Sequence, residues 1–477
     1  MRFSNYISYF IAAALISSCA VGPDYKRPDM THFTPADWRW KTAEPKDTER
    51  KGDWWKIFND PVLNDLETNA VAGNQNLRSA VARVDESRAA ARMTRSQFLP
   101  GVVLDPSANR ERVSGNEPIP FPPSPIFKLR PFYMNTFSVP FDLSYEIDLW
   151  GRVRRSFESV RAQAQAEAAD YQNVVLTLTA DVAVNYYLLR SLDSQIATLN
   201  GIIEAHGETV RILGERANAG GITEAPMEQA KTSLANAKGQ LAGLNMQRAE
   251  TFNALALLCG KSPTAFEISV KPLNASPPEI PPGLPSTVLE RRPDIAAAER
   301  NMVSYNAQIG VARSAYFPVL RLTGQAGFLS GELDKLFSAD SATWSLGPSV
   351  SIPVFTAGRT RAQVRQAESA YHQSVAEYRQ AALTAFKEVE DSLVQINSWK
   401  EQSAAQAEAI ASSQRAADIT RARADNGILT TVEVLEANRA VLEQQQQLEQ
   451  IIAEQFTAAI HLIKALGGSV VMPAENR

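Results

Sequence analysis

The stretch Phe137-Ser-Val-Pro-Phe-Asp-Leu-Ser-Tyr-Glu-Ile-Asp-Leu-Trp-Gly-Arg152 alternates between apolar and polar side chains almost to its end. Alternation over about thirteen residues exceeds the usual strand of about 5–6 residues. Acids and serines on one face, with aromatic or aliphatic residues on the other, are typical of a strand that has water on one side and lipid on the other. A strand of a soluble two-sheet sandwich alternates as well, so the pattern alone leaves that alternative open.

The same plan returns at Trp344-Ser-Leu-Gly-Pro-Ser-Val-Ser-Ile-Pro-Val-Phe-Thr-Ala-Gly-Arg359. Farther along each copy, Arg216-Ala-Asn-Ala-Gly220 matches Arg423-Ala-Asp-Asn-Gly427. Each copy is too long to be a unit of a solenoid. The chain is therefore a tandem duplication of one architectural half, which favours a quasi-symmetric assembly over an enzyme with one asymmetric cleft.

Residues 320–328 supply a second alternating strand in the second copy, joined to residues 344–355 through a loop. Each half is thus predicted to contribute one hairpin, which makes four strands per chain. Four strands cannot close a barrel, and an open sheet edge is not tolerated in lipid. We therefore expect several copies of the chain to assemble.

Very long helices are predicted after each hairpin. Residues 152–215 and 359–425 contain no proline and are rich in Ala, Gln, Leu and Arg. At ~1.5 Å per residue, a helix of ~64 residues is roughly 95 Å long. Each helix is predicted to turn at a glycine and return through a second helix, at about 225–258 and 431–466. Without the strands, the same composition would also suit a generic coiled coil.

The N-terminus has the pattern of a targeting segment, in which Arg2 precedes the mostly apolar residues 7–16 and small residues lead to Cys19. This arrangement resembles a bacterial lipobox and predicts that Cys19 becomes the acylated first residue of the mature chain. An ordinary signal peptide with a chance cysteine is the alternative. Ala20 follows, and its identity favours export to the outer membrane.

The composition argues against several classes of function. The net charge of −4 does not suit a nucleic-acid partner. Cys259 remains as a single thiol after Cys19, so no intramolecular disulfide is expected. The histidines are scattered, no metal-ligand spacing occurs, and no nucleophile or phosphate-binding motif is present. The sequence predicts no enzymatic activity, no cofactor and no metal.

Several short motifs, in order, resemble the outer-membrane efflux lipoproteins of the TolC-like family, in its NodT/OprM branch. They are Cys19-Ala-Val-Gly-Pro-Asp-Tyr-Lys-Arg-Pro28, Trp54-Trp55 with Phe58-Asn-Asp-Pro61, Tyr145-Glu-Ile-Asp-Leu-Trp-Gly151, Arg291-Arg-Pro-Asp294 and Pro353-Val-Phe-Thr-Ala-Gly358. The resemblance covers essentially the whole mature chain. It implies an α+β fold with an internal duplication. In that fold a long α-helical coiled-coil barrel joins a transmembrane β-barrel, which trimerisation completes from four strands per chain.

The expected domains follow from these patterns. They are a signal peptide (1–18), a lipidated N-terminal strap (19–60), a first repeat (61–260) with a helix at 61–98 and a hairpin at about 101–150, a Pro-rich equatorial link (261–292), a second repeat (293–468) with a hairpin at about 318–356, and a C-terminal tail (469–477).

The resemblance places a periplasmic gate just after the second glycine turn, at Glu433 and Glu436. Acids spaced i and i+3 share one helix face, and three copies would form a carboxylate ring that favours cations. A solvated acidic helix face is the alternative. The first copy has Pro226 and Gln229 at the matching positions. Glu224 and Glu228 are a possible secondary gate that partly replaces the missing acids.

The turns themselves are expected to meet an adaptor. The residues concerned are Arg216, Gly220, Gly221, Arg423 and Gly427. The two arginines could dock the adaptor or form an ion pair that closes the gate. The alternative is that they only stabilise their helices, since positive charge near a helix C-terminus is favourable in itself.

The function implied is that of a passive exit duct of a tripartite efflux pump in the cell outer membrane, lipid-anchored and extending into the periplasm. Its expected partners are two further copies in a homotrimer, a periplasmic adaptor (membrane fusion) protein, an inner-membrane RND-type pump and outer-membrane lipid. A lipid-anchored coiled-coil scaffold without a pore is the alternative, and the amphipathic strands argue against it.

Overall fold

A computed structural model of the protein describes residues 20–28, 53–115, 130–280 and 291–468. The chain divides into two compact units. The first comprises Met1–Pro28, Asp85–Gln165 and Glu299–Ala376, and the second comprises Asp29–Val84, Ala166–Ala298 and Glu377–Arg477.

The strands form one antiparallel sheet in the first unit. In chain order they are β1 (Gly101–Leu104), β2 (Ser107–Val113), β3 (Phe132–Ile147), β4 (Val319–Ser330) and β5 (Ala342–Ser351). β1 and β2 both pair with β3, β3 pairs with β4, and β4 pairs with β5. The hairpins of the two repeats are therefore joined edge to edge within one chain.

The sequence predicts four strands, and the described residues contain five segments because the first strand is interrupted. Asp105 and Pro106 separate β1 from β2, and proline lacks the N–H that a ladder bond needs. The pairing of Gly101 with Ser144 and that of Val113 with Phe132 nevertheless belong to one register, without an inserted residue. β1 and β2 thus act as a single strand along the same edge of β3.

Pairing across the sheet collects apolar residues on one face, because partners in antiparallel strands carry their side chains on the same side. Phe141 pairs with both Leu104 and Ala326, and Ala326 pairs in turn with Trp344. The opposite face is largely polar. There Asp142 pairs with Gln325, which donates a 2.9 Å hydrogen bond to the carboxylate.

The turn from β3 into the next helix is built from the motif at 145–152. Gly151 has φ +83°, a left-handed conformation that favours glycine. The Trp150 indole donates to the Pro318 carbonyl at 2.8 Å and stacks on Phe317 with ring centroids 4.7 Å apart. Asp148 accepts the backbone N–H groups of the first helical turn. This motif therefore forms the connection between the end of β3 and the start of the following helix.

Residues 20–28 pack onto this junction. The backbone N–H of Val21 donates to the Trp150 carbonyl at 3.0 Å, and Asp24 accepts from the buried Arg155 guanidinium at 2.7 Å. Arg27 pairs with the buried Glu299. These contacts define an N-terminal arm, residues 20–28, fixed to the first unit by backbone and charged contacts.

The described helices of eight residues or more are α1 (Pro61–Gly73), α2 (Gln75–Ser96), α3 (Arg152–Asn218), α4 (Ala225–Leu258), α5 (Pro293–Ser314), α6 (Arg359–Asp425) and α7 (Thr431–Ala465). Asp60 caps α1 by accepting the N–H groups of Val62 and Leu63. Within the described part of the chain, no helix has both the length and the apolar character required to cross a membrane.

The single helix predicted for residues 61–98 is wrong, because Asn74 divides it. Its extended backbone (ψ 126°) ends α1, and its side-chain oxygen accepts from Leu77 N–H to start α2. The Asn74 amide also donates to the Leu258 carbonyl. A Cβ at Gly73 would lie 2.5 Å from the Cys259 carbonyl. The break is therefore made by tertiary packing as well as by local capping.

Aromatic packing forms the core of the second unit. Tyr187 stacks on Phe456 with centroids 3.9 Å apart, and Phe58 packs against both rings. Tyr187 and Phe456 are almost completely buried. This cluster joins the aromatic residues that precede α1 to α3 and α7.

Arg292, from the Arg-Arg-Pro-Asp motif, links three elements of the second unit. Its guanidinium binds Asp294 at the start of α5, Glu388 on α6 and the Ala465 carbonyl at the end of α7. The side chain is largely buried. The motif therefore has a structural role that its position after the Pro-rich link did not reveal.

Candidate functional site

The apolar face of the sheet is exposed rather than packed in a core. Trp344 keeps 79 % of its surface accessible, Leu346 64 % and Phe141 53 %. Isolated exposed apolar side chains are ordinary, but a contiguous exposed apolar surface marks a membrane or protein interface. Here the sheet register makes it contiguous.

Two helical turns connect the long helices of the two repeats. Turn 1 lies between α3 and α4, and turn 2 lies between α6 and α7. Gly220 and Gly427 have φ values of +74° and +71°. In turn 1 the N–H of Gly221 reaches the Arg216 carbonyl, and in turn 2 the N–H of Ile428 reaches that of Arg423. Both turns are Schellman motifs. The predicted turn residues therefore include, in each repeat, an arginine whose backbone carbonyl closes the motif.

Turn 2 is followed by a capping box. Thr430 N–H donates to the Glu433 carboxylate at 2.6 Å, and the Thr430 hydroxyl lies 3.0 Å from the same oxygen. The Thr430 side chain in turn accepts the backbone N–H of Glu433. Glu433 is thus folded back on the start of its own helix instead of sharing a free face with Glu436.

These hydrogen bonds favour the charged form of Glu433. The backbone N–H of Thr430 is the main cause that lowers the pKa of this carboxyl, with smaller contributions from the Thr430 hydroxyl and the positive charge of Arg216. Because Arg216 belongs to turn 1, the two turns are electrostatically coupled.

Turn 1 lacks this cap. Pro226 occupies the position matching Glu433, and no side-chain hydrogen bond caps the start of α4. Glu224 stands at the N-cap in a helical conformation. Glu228 forms an ion pair with Lys231 at 2.8 Å. The charge of Glu228 is therefore compensated by a residue one helical turn away.

Glu436 lies in a groove of about 350 Å³ formed by α3, α4 and α7. Pro226 and Gln229, which match Glu433 and Glu436 in the first repeat, line the same groove. Gln229 and Glu436 occupy equivalent positions in the two repeats and therefore line the same groove, one with an amide and the other with a carboxylate.

His206 and Arg439 also line this groove. Burial and the nearby Arg439 lower the pKa of His206, and the carboxylates of Glu443 and Glu436 oppose them more weakly. Arg439 itself pairs with Glu443 at 3.0 Å. At neutral pH the groove therefore contains a neutral His206 imidazole, the Glu436 side chain and an arginine that is paired with Glu443.

Three features of the two turns and the adjoining groove were not predicted from the sequence. The pattern Thr430-x-x-Glu433 is a capping-box signature that could have identified the role of Glu433. The proximity of Gln229 to Glu436 depends on how α4 and α7 pack, and no local signal contains it. The same holds for His206 and Arg439.

Among the residues that the structure describes, no group of three or more His, Cys, Asp or Glu side chains could hold a metal ion. Cys259 is buried, and burial is the main cause that raises the pKa of its thiol to about 11. Such a thiol is protonated and unreactive at neutral pH. Cys19, the predicted acylation site, lies outside the described residues.

Comparison with known proteins agrees with this architecture. The model of the family described as outer membrane efflux protein matches residues 66–261 and 284–468. The toluene efflux pump outer membrane protein TtgF of Pseudomonas putida is 33% identical over 98% of this chain and 97% of its own length.

Two further relatives extend the comparison. The pyoverdine export outer membrane protein OpmQ of Pseudomonas aeruginosa is 31% identical, over 97% of this chain and 96% of its own length. The crystal structure of the Campylobacter jejuni CmeC outer membrane channel superposes with a TM-score of 0.84 at 26% identity, covering 95% of each chain. The resemblance noted in the sequence is confirmed, and the chain belongs to the outer membrane efflux protein family.

Proposed function

We propose that this protein is the outer-membrane exit duct of a tripartite efflux system and that it conducts small toxic compounds passively, without catalysis. The observation that carries the proposal is the sheet in which one face is apolar across β1, β3, β4 and β5 and is exposed to the surroundings. An apolar outer face with a polar opposite face is the arrangement that a water-filled channel in lipid requires.

The sheet edges support assembly from several copies. In the described residues, β5 pairs only with β4, and β1 and β2 pair only with β3. Unpaired N–H and C=O groups are costly in lipid, so each edge needs a partner. Three copies joined edge to edge in a homotrimer supply it.

The compounds exported remain open to experiment, because the relatives are named for different substrates. TtgF is named for toluene and OpmQ for pyoverdine. A duct with a broadly polar wall suits this diversity if an inner-membrane RND-type pump selects the substrate. A periplasmic adaptor would then join that pump to turns 1 and 2.

For the gate we propose that Glu436 supplies the principal free carboxylate and that Glu433 acts mainly through its cap. Glu433 is bound to Thr430, whereas Glu436 lines the groove beside Gln229. Six glutamates from three chains would still make the constriction negative, and a negative constriction favours cations.

Planar-bilayer recordings test the gate. Glu436→Gln should reduce cation preference and weaken block by divalent cations applied from the periplasmic side, and Glu433→Gln should do so less. Glu228→Gln is the matched control, because Lys231 already compensates that charge. Unchanged selectivity in the Glu433→Gln, Glu436→Gln double variant would remove both residues from the gate.

We also propose that Cys19 is acylated. The arm that follows it packs at the sheet end, where a Cβ at Gly151 would lie 2.9 Å from the Ala20 Cβ. Cys19→Ser should abolish metabolic labelling with palmitate, and persistent labelling would refute the assignment.

The duct proposal is tested by the mass of the detergent-solubilised protein and its conductance in planar bilayers. We expect a trimer that forms stable, passively conducting pores. A monomer with full strand content, or a trimer that leaves the bilayer impermeable, would contradict the proposal.

A further inference from the structure

Strand β2 is unusual because two of its positions on the apolar face of the sheet hold arginines. β2 contains Asn109-Arg-Glu-Arg-Val113, in which Arg110 and Arg112 alternate with Glu111. Arg110 pairs with Asn135 and Arg112 with Tyr133. These four residues are exposed.

The continuous register decides which face they occupy. β1 and β2 pair with β3 in one register, so Arg110 and Arg112 lie on the same side as Leu104 and Phe141. Glu111 pairs with Met134 and lies on the opposite side. The strand thus places its two cations on the apolar face and its acid on the other.

The height of the arginines along the sheet matches a membrane boundary. At ~3.4 Å per residue and a tilt of ~40°, the ~10 steps of β3 from Ile147 to Phe137 rise about 26 Å. The apolar band of an outer-membrane barrel is ~25 Å tall. By the same geometry Arg110 lies roughly 5 Å beyond that band and Arg112 roughly 10 Å beyond it.

A neighbouring aromatic residue supports the same assignment. The Arg110 guanidinium lies 5.2 Å from the centroid of the Tyr133 ring. Tyrosines are enriched where apolar membrane meets water, and a cation stacked on such a ring is held in place. Arginine also binds phosphate oxygens with two parallel N–H groups.

We propose that Arg110, Arg112 and Tyr133 form a binding surface for the phosphate-bearing headgroups of outer-leaflet lipids. The inference rests on the proposed function, because the face is lipid-facing only if the sheet spans the membrane. Its occupant follows from charge: two exposed cations per chain at headgroup height complement anionic phosphates.

The probe is lipid A, which bears two phosphates, with monophosphoryl lipid A as its matched ligand. Binding to the detergent-solubilised trimer is measured by native mass spectrometry. We expect wild-type protein to prefer the bisphosphorylated form. Arg110→Gln with Arg112→Gln should weaken binding about tenfold, since each basic residue near an anionic lipid surface contributes roughly fivefold before screening.

Two controls separate the site from general charge and from misfolding. Arg415→Gln with Arg421→Gln removes the same charge from exposed positions on α6 and should leave lipid A affinity unchanged. Arg110→Lys with Arg112→Lys keeps the charge but not the paired N–H groups, so its affinity should lie between those of the wild type and the glutamine variant.

Unchanged affinity in the Arg110, Arg112 glutamine variant would overturn the inference, as would an equal loss in the α6 control. Conductance of the same samples keeps the two proposals apart. If wild-type protein conducts but the glutamine variant binds lipid A normally, only the headgroup site fails. If wild-type protein does not conduct, the duct itself fails.

Discussion

The two repeats meet the same backbone requirement at the junction between strand and long helix but surround it differently. Gly151 and Gly358 have φ values of +83° and +82°. A Cβ at Gly151 would lie 2.9 Å from the Ala20 Cβ, whereas a Cβ at Gly358 would have no atom of the described residues within 4 Å. In the second repeat the preceding Phe355 is 87 % exposed. The first junction is covered by the N-terminal arm, whereas no described residue covers the second.

The helical turns differ in the same manner. Turns 1 and 2 end their first helix with the same Schellman motif. Only turn 2 starts its second helix with a capping box, because Pro226 occupies the matching position in turn 1. The duplication has therefore kept the glycine geometry that the backbone demands. Its two copies differ at side chains that contact the rest of the chain.

The largest expected effect is a difference in stability between alanine variants of the two junction glycines. Gly358→Ala should destabilise the protein by about 1–2 kcal/mol, the cost of a left-handed backbone in a residue with a Cβ. Gly151→Ala should cost more, because its methyl group also collides with Ala20. Thermal unfolding of the two variants, with limited proteolysis of the N-terminal arm, measures the difference. Equal losses and an intact arm in both variants would show that the arm contact is unimportant.

An intermediate effect is expected at the turn glycines. Gly220→Ala and Gly427→Ala should each cost about 1–2 kcal/mol for the same backbone reason. The two costs should be similar, because neither added Cβ would have a neighbour within 4 Å among the residues that the structure describes. Hydrogen exchange of the turns reports the local effect. A much larger loss at one turn would reveal a contact specific to the assembled protein.

A smaller effect is expected from the cap of α7. Thr430→Ala removes the N-cap side chain and should cost about 1 kcal/mol. Thr223→Ala, at the matching position of turn 1, should cost little, because no side-chain hydrogen bond caps α4. Glu433→Gln keeps a side chain that can complete a capping box, whereas Glu433→Ala does not. Equal unfolding midpoints for all four variants would argue against a stabilising role of the cap.

The smallest effect is a pH dependence confined to turn 2. The pKa of Glu433 is lowered in the folded protein, so its stabilising contribution is present above the unfolded pKa of a glutamate. It is lost as the pH falls from that value through the lowered folded pKa. After correction for the intrinsic exchange rate at each pH, the protection factors of the amides at residues 430–434 should therefore fall on acidification, with a smaller change at 223–227. Identical responses of the two turns would refute the assignment.

The sequence was sufficient for features set by local periodicity and by glycine. It predicted the alternating β3, the helices after each hairpin and the two turn glycines, because a strand, a helix and a left-handed residue each leave a local pattern. The interruption at Asn74 was missed because the Leu258 carbonyl that binds it is distant in sequence. The cap formed by Glu433 was missed although Thr430-x-x-Glu433 is a local pattern, and the place of Glu433 in the gate stays a prediction.

The sequence could not predict which distant side chains tertiary packing brings into one groove or onto one face. The groove that brings Gln229 beside Glu436 requires the arrangement of α3, α4 and α7. The position of Arg110 on the apolar face of the sheet depends on the register of β1 and β2 across Pro106, which no single-strand pattern contains.

Cysteine cross-linking tests most directly the central claim, that the exposed sheet is completed by other copies of the chain. One cysteine is placed on β5, at Ser345 or a neighbour, and one on β1, at Val103 or a neighbour, in a chain without Cys259. The two edges of one chain are separated by β3 and β4. We predict that oxidation of at least one double variant yields a covalent trimer on denaturing gels, while each single variant remains monomeric. Absence of intermolecular cross-links across the whole panel, in protein that is folded and inserted in membranes, would contradict the account.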